Sequence, residues 1–169
     1  MYIEEFTHRQ IMAKRFYEYH HYRDVTPLAV DFHQHAFYEI YIFLSGDVNY
    51  TIEGRTYKLR PGDILLTNNS DIHRPEIAPS RHPYERIVIW LDDNFFNGLR
   101  DIGEDLTLCF QDASNRNYRL FRPNETQFLK IQSACRTIEQ ERMNGKLGNQ
   151  VMAYSSILEI LVLLSRAYY

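Results

Sequence analysis

His33 to Ile77 reads HQHAFYEIYIFLSGDVNYTIEGRTYKLRPGDILLTNNSDIHRPEI, and this stretch decides the fold. Phe37 to Leu44 (FYEIYIFL) is apolar on both parities, Asp47 to Glu53 alternates, and Asp63 to Thr67 is a short apolar segment. Between them stand turn signals: Ser45-Gly46, Glu53-Gly54, Arg60-Pro61-Gly62 and Asn68-Asn69-Ser70-Asp71. Short β segments punctuated this often predict a sandwich or barrel. A strand apolar on both parities needs cover on both faces. One face of Phe37–Leu44 is expected to line the interior, and the other to meet helices or a second subunit.

Working outward, Tyr17 to Tyr22 is an aromatic-rich strand and Glu85 to Leu91 (ERIVIWL) another. The segment Arg15 to Arg23 (RFYEYHHYR) reads either as an edge strand or as an arm over a pocket. A short helix is expected near Asn94 to Leu99, followed by a loose strand or loop within the polar, mixed stretch Arg100 to Arg122. From Asn124 the pattern becomes helical. Asn124 is an N-cap, with Gln127 three residues on as in a capping box. Phe128, Ile131, Cys135 and Ile138 then recur at helical spacing, and Gly145 and Gly148 mark the break. A second helix is expected from Asn149 to Arg166, its stripe formed by Val151, Tyr154, Ile157, Leu158, Leu161 and Leu164. Ile160 and Leu163 widen that stripe. A helix this apolar is buried on more than one side, either against its own sheet or against a symmetry mate. The organisation predicted is a β unit over 1–122 and a helical pair over 123–169.

The formal net charge is −3, and the pI is near 6.2. The chain therefore lacks the positive footprint of a nucleic-acid-binding surface. Cys109 and Cys135 match no metal or redox spacing and are expected to be small buried hydrophobes in a reducing compartment. No basic-then-apolar start suggests a signal peptide. The longest apolar run, Ile160 to Leu164, is too short to span a bilayer. A cytoplasmic protein without a membrane partner is the expectation.

His33, His35 and Glu39 share one parity, so in an extended strand all three project to the same side. His73 follows a strand and a polar turn and is placed to join them as a fourth ligand. Three imidazoles and a carboxylate suit one divalent Zn, Ni, Fe or Mn ion. His8, His20, His21 and His82 fit no such geometry and are expected on the surface or in loops. Tyr41 and Phe43 continue the same parity and are expected to reach the same cavity, Phe43 mainly as filler. Trp90 and Arg86 share a parity on their own strand, and an inward arginine needs a partner or an anionic ligand. Tyr17, Tyr19, Tyr41, Arg86 and Trp90 are the candidate ligand-binding residues.

The run H-x-H-x3-E-x6-G, filled by His33, His35, Glu39 and Gly46, resembles the first cupin motif. Gly62 to His73 keeps the spacing of the second, with Asn68 for its proline, Ser70 for its glycine and Ile77 for its final asparagine. Within the cupins, the stretch resembles the sensor domain of AraC-family transcription regulators, through His35, Glu39-Ile40, Gly46, Ile52, Gly54, Tyr57, Leu59, Gly62-Asp63-Ile64 and His73. The resemblance implies a cupin-type β-barrel (double-stranded β-helix, or jelly roll) with an antiparallel helix pair behind it. It further implies a small-molecule effector, often a sugar, and a homodimer through the C-terminal helices. DNA is then contacted only through a helix-turn-helix domain absent from this chain, which would be a segment of a longer protein. Two rival readings stand beside this non-enzymatic one. The first is a stand-alone metal-dependent cupin enzyme of isomerase or dioxygenase type. In the second, the metal ion itself is the effector.

Overall fold

The computed structural model describes residues 3–168. In chain order they form β1 (Tyr17–Asp24), β2 (Tyr38–Ser45), β3 (Val48–Ile52), β4 (Arg55–Lys58), β5 (Ile64–Thr67), β6 (His73–Ile77), β7 (Tyr84–Leu91), α1 (Asp93–Asp101), α2 (Leu108–Asn115), β8 (Leu120–Phe121), α3 (Glu125–Asn144) and α4 (Asn149–Tyr168). They divide into two compact units, residues 3–122 and 123–168.

In the first unit, a five-stranded sheet of order β1-β7-β2-β5-β8 accompanies a three-stranded sheet of order β4-β3-β6. Every pairing between these strands is antiparallel. Tyr41, Phe43, Leu65 and Val88 from the large sheet join Val48, Tyr50 and Ile52 from the small one in a single buried cluster. On the opposite parity of the large sheet, Ile40, Ile42 and Ile89 are also sealed from solvent. Tyr38, on that outer side, packs against Phe96 of α1 at 5.2 Å and Phe110 of α2 at 5.0 Å between ring centres. The double apolar parity of β2 is thereby explained: one face belongs to the interior, and helices α1 and α2 contribute cover to the other.

Helix α1 starts where Asp92 accepts a hydrogen bond from the Phe95 amide, satisfying one orphan donor of the first turn. Over Arg100 to Arg122 the expected loose strand is present only as β8; before β8, helix α2 corrects the expectation of strand or loop. Its buried side is only Cys109, Phe110 and Ala113, too few apolar positions for the periodicity to rise above the polar background. The turn before β3 depends on Gly46, whose φ is +118°, a conformation costly for any residue with a side chain.

In the second unit, α3 carries the reciprocal Asn124–Gln127 capping box and ends at Gly145 in the left-handed conformation. Helices α3 and α4 pack on one another as a hairpin. Ile157, Ile160, Leu161 and Leu164 are buried as their spacing requires, whereas Val151, assigned to the same stripe, is 70% exposed. Helix α4 is also long and apolar enough, over Asn149–Ala167, to cross a membrane by length and composition, with a third of that window buried. The short run Ile160 to Leu164 understated this, because moderate hydropathy spread over five turns adds up where five consecutive residues do not. Cys109 and Cys135 are both buried and form no disulfide.

Candidate functional site

Three histidines meet inside the first unit. His33 and His35 lie before β2 rather than on it, so strand parity is not what brings them together, and that part of the expectation is corrected. An isolated antiparallel bridge does it instead. His33 N–H donates to the His73 carbonyl at 3.1 Å, and His73 N–H donates back at 3.0 Å. One nitrogen from each of His33, His35 and His73 lies within 4.8 Å of the others.

The tautomers follow from the partners. Nδ1 of His33, His35 and His73 faces the carbonyl of Asp31, Phe37 and Asp71, at 2.9, 3.0 and 2.8 Å. A carbonyl only accepts, so each Nδ1 donates, and the neutral form of such a ring holds its lone pair on Nε2. Nε2 of His35 and of His73 is buried without a hydrogen-bond partner. Buried lone pairs left unsatisfied in this way fit a metal ion. Glu39 stands beside the cluster, its Oε2 3.4 Å from His35 Nε2 and accepting from Trp90 Nε1 at 2.8 Å. Burial works to raise the Glu39 carboxyl, but hydrogen bonding and the neighbouring imidazoles outweigh it and hold it at about 2. Burial pushes His73 down to about 4, so its ring is neutral near pH 7.

Next to this cluster lies a cavity with about 500 Å³ of atom-free space, part of which is open solvent. Tyr41, Arg86 and Trp90 line it, as do His33 and Glu39. Phe43, completely buried, fills the interior. Tyr17 and Tyr19 do not line it. β1 pairs with β7 so that Glu18, His20 and Tyr22 stand opposite Trp90, Val88 and Arg86, which places Tyr17 and Tyr19 on the outer parity. There Tyr17 meets Phe95 of α1, edge to face at 6.3 Å. Aromatic residues on both parities of RFYEYHHYR conceal this register in the sequence.

His20 and His21 are buried, at 8% and 7% exposure, and correct the expectation of surface positions. His20 is held between Glu4 and Glu18, and His21 faces Glu85 at 2.8 Å. Glu4 also pairs with Tyr22 in a parallel bridge. The segment that follows Glu4 contributes Phe6, Arg9 and Gln10 to the cavity wall. Arg9 grips Glu18 through both terminal nitrogens, at 2.6 and 3.1 Å, and lies 5.2 Å over the Trp90 ring. Residues 4–10 thus belong to the site. Their only sequence signal is a local excess of charged groups.

Residues 15–142 match the family described as the AraC-like ligand binding domain. The chain belongs to that family. As an AraC-like ligand binding domain it has a cupin-type barrel, followed by an antiparallel helix pair. Among solved structures it is similar to the DMSP lyase DddQ from Ruegeria pomeroyi, with 26% identity, a TM-score of 0.41, and coverage of 47% of this chain and 40% of that one. A cupin 2 conserved barrel domain protein from Salinispora arenicola is 17% identical over 51% of this chain and 71% of its own, with a TM-score of 0.42. A cupin protein from Bacteroides fragilis is 28% identical over 48% of this chain and 70% of its own, with a TM-score of 0.40. The AraC-like chain thus spans well under half the length of the lyase. No curated protein matches it.

Proposed function

We propose that this AraC-like domain is the small-molecule sensing and dimerisation part of a DNA-binding transcription regulator, and that it is not itself an enzyme. The observation that carries the reading is the shared wall. Phe6, Arg9 and Gln10 from the N-terminal segment line the same cavity as Tyr41, Arg86 and Trp90. A molecule entering that cavity changes the free energy of the segment's present position, which is the differential contact a sensor needs. Tyr41, Arg86 and Trp90 are assigned to effector binding, and DNA contact to a separate domain, in keeping with the acidic balance of this chain. The homodimer is assigned to α3 and α4, where Leu129, Met143 and Val151 are exposed apolar groups, as is Leu147 in the turn between them. A cytoplasmic location fits this role.

The three convergent histidines favour a second reading, a metal-dependent cupin enzyme of isomerase or dioxygenase type. His33, His35 and His73 would hold a Zn, Ni, Fe or Mn ion, with Glu39 beside them. Such an ion supplies Lewis-acid or redox chemistry when bound. The intact mass of the native gene product, measured from the source cell, separates the two readings. A product extended by roughly a hundred residues of basic helical sequence supports the regulator. A product ending near Tyr169 removes DNA binding and leaves the metal-dependent reading in front.

A further inference from the structure

Among the described residues, Arg86 is the largest fully buried side chain, at 2% exposure. A guanidinium has five N–H donors in a planar fork, yet this one uses a single nitrogen. Nη1 pairs with Asp24 and also donates to the Tyr84 carbonyl at 3.3 Å. Among the described residues, Nε and Nη2 donate to no acceptor. Arg86 lines the cavity, so these two donors are open to an acceptor that enters there. Its plane is fixed by aromatic rings, with Tyr84, Tyr22 and Phe6 centred 4.1, 4.8 and 4.9 Å from the guanidinium carbon.

The opposite end of the cavity has the reverse character. Trp90, Val88 and Arg86 alternate along β7 and all line the cavity, so the row from Trp90 to Arg86 extends over roughly 13 Å at the usual strand rise. Glu39, facing Trp90, puts a buried carboxylate at the histidine end. It repels an anionic group there and turns such a group toward Arg86. Tyr41 and Tyr50 add aromatic wall to the same cavity, while Tyr22 and Tyr84 flank Arg86 itself.

We infer that the molecule this cavity takes is a small organic acid with a planar or apolar body, rather than a neutral sugar. Its carboxylate accepts both hydrogen bonds of the Nε–Nη2 edge of Arg86, and its body lies along the tyrosines toward the histidines. A carboxylate presents two coplanar acceptors at the spacing of that edge, a match a hydroxyl pair reproduces poorly. Asp24 does not compete for it, because it engages Nη1 and is itself partly open to solvent, at 22% side-chain exposure. The inference rests on the effector-cavity reading above and names the class of molecule involved.

Trp90 is the only tryptophan of the chain and lines the cavity, so its fluorescence reports occupancy. The 169-residue chain is titrated with phenylacetate and succinate, each beside its neutral amide, and with arabinose and glucose. Saturable quenching by a carboxylate, at least tenfold tighter than by its amide, is expected. Arg86→Lys keeps a cation for Asp24 but removes the fork, and is expected to weaken that carboxylate at least tenfold with the far-UV spectrum unchanged. Arg86→Gln, if it folds, is expected to abolish the preference for acid over amide. Equal binding of acids and amides, or tighter binding of a sugar, overturns the organic-acid inference and leaves the cavity reading standing. Silence from every probe overturns the inference and counts against the cavity reading as well.

Discussion

His33 and His73 are tied to each other twice, backbone to backbone at 3.1 and 3.0 Å, with their imidazole centres 4.2 Å apart. This bridge fixes the segment before β2 onto the start of β6 and sets the spacing of the cluster before any ion is present. Preformed spacing of this kind lowers the reorganisation required on metal binding. One Zn²⁺ or Ni²⁺ per chain is therefore expected by calorimetry and metal analysis. Separate His35→Ala and His73→Ala changes are each expected to weaken it by roughly a hundredfold or more. Stoichiometric binding that survives both changes would show that the ion sits elsewhere.

The latch between Arg9 and Glu18 sets a second expectation. Glu18 accepts from Arg9, from the Ala13 and Lys14 amides and from His20. Burial works against the charged form, but these donors prevail and hold Glu18 at about 2, below the usual 4.5. A carboxyl whose folded value is depressed binds its proton more readily when unfolded. Its stabilising contribution is full above about pH 4.5 and is lost as the pH falls toward 2. Urea midpoints measured from pH 6 down to 3 should drop more steeply for the native chain than for Glu18→Gln. The difference is expected to be on the order of 2 kcal/mol, reduced because Arg9 is a third exposed. Parallel curves would place the acid sensitivity in other carboxylates.

Arg9 also covers Trp90, so loosening the latch should be visible in the indole. Arg9→Ala removes the bidentate pair and the cation over the ring, at a cost of about 1–2 kcal/mol. Red-shifted emission and stronger acrylamide quenching are expected. Unchanged quenching would mean that the other contacts of the N-terminal segment, such as those of Glu4 with His20 and Tyr22, keep it in place without Arg9.

These relationships differ in how legible they were in the sequence. Strands β1, β2, β3, β5 and β7 announced themselves through turn dipeptides and apolar or aromatic runs, whereas the short β4 and β6, polar at most positions, did not; the Asn124 capping box fixed the start of α3 to the residue. That His33, His35 and His73 converge was legible from the sequence. What joins them was not, since an isolated bridge between His33 and His73 leaves no periodic trace. The facing of Tyr17 and Tyr19 was likewise hidden, because a one-residue register choice exchanges them with Glu18, His20 and Tyr22. Helix α2 escaped because only its short buried side distinguishes it from a polar loop. The cavity role of Phe6 and Arg9 depends wholly on tertiary contact.

The last expectation concerns the turn that supports the tyrosine wall. Gly46 has φ +118°, and a β-carbon built there would lie 3.2 Å from the Tyr84 Cα, a backbone atom with no freedom to swing aside. Tyr84 in turn shares a 2.7 Å hydrogen bond with the Tyr41 hydroxyl and stacks on Arg86. Gly46→Ala therefore imposes both backbone strain and a push on β7, together about 1–3 kcal/mol. At this chain length that corresponds to a fall in melting temperature of roughly 2–10 °C. The displacement should also reach the cavity and weaken any molecule held by Arg86, although residue 46 itself does not line the cavity. Gly54→Ala is the matched control: its φ of +75° strains an alanine in a similar way, but nothing lies within 4 Å of the added carbon. Gly54→Ala is expected to lose stability without loss of cavity binding. Equal weakening of binding by both variants would trace the effect to global stability rather than to the contact between Gly46 and Tyr84.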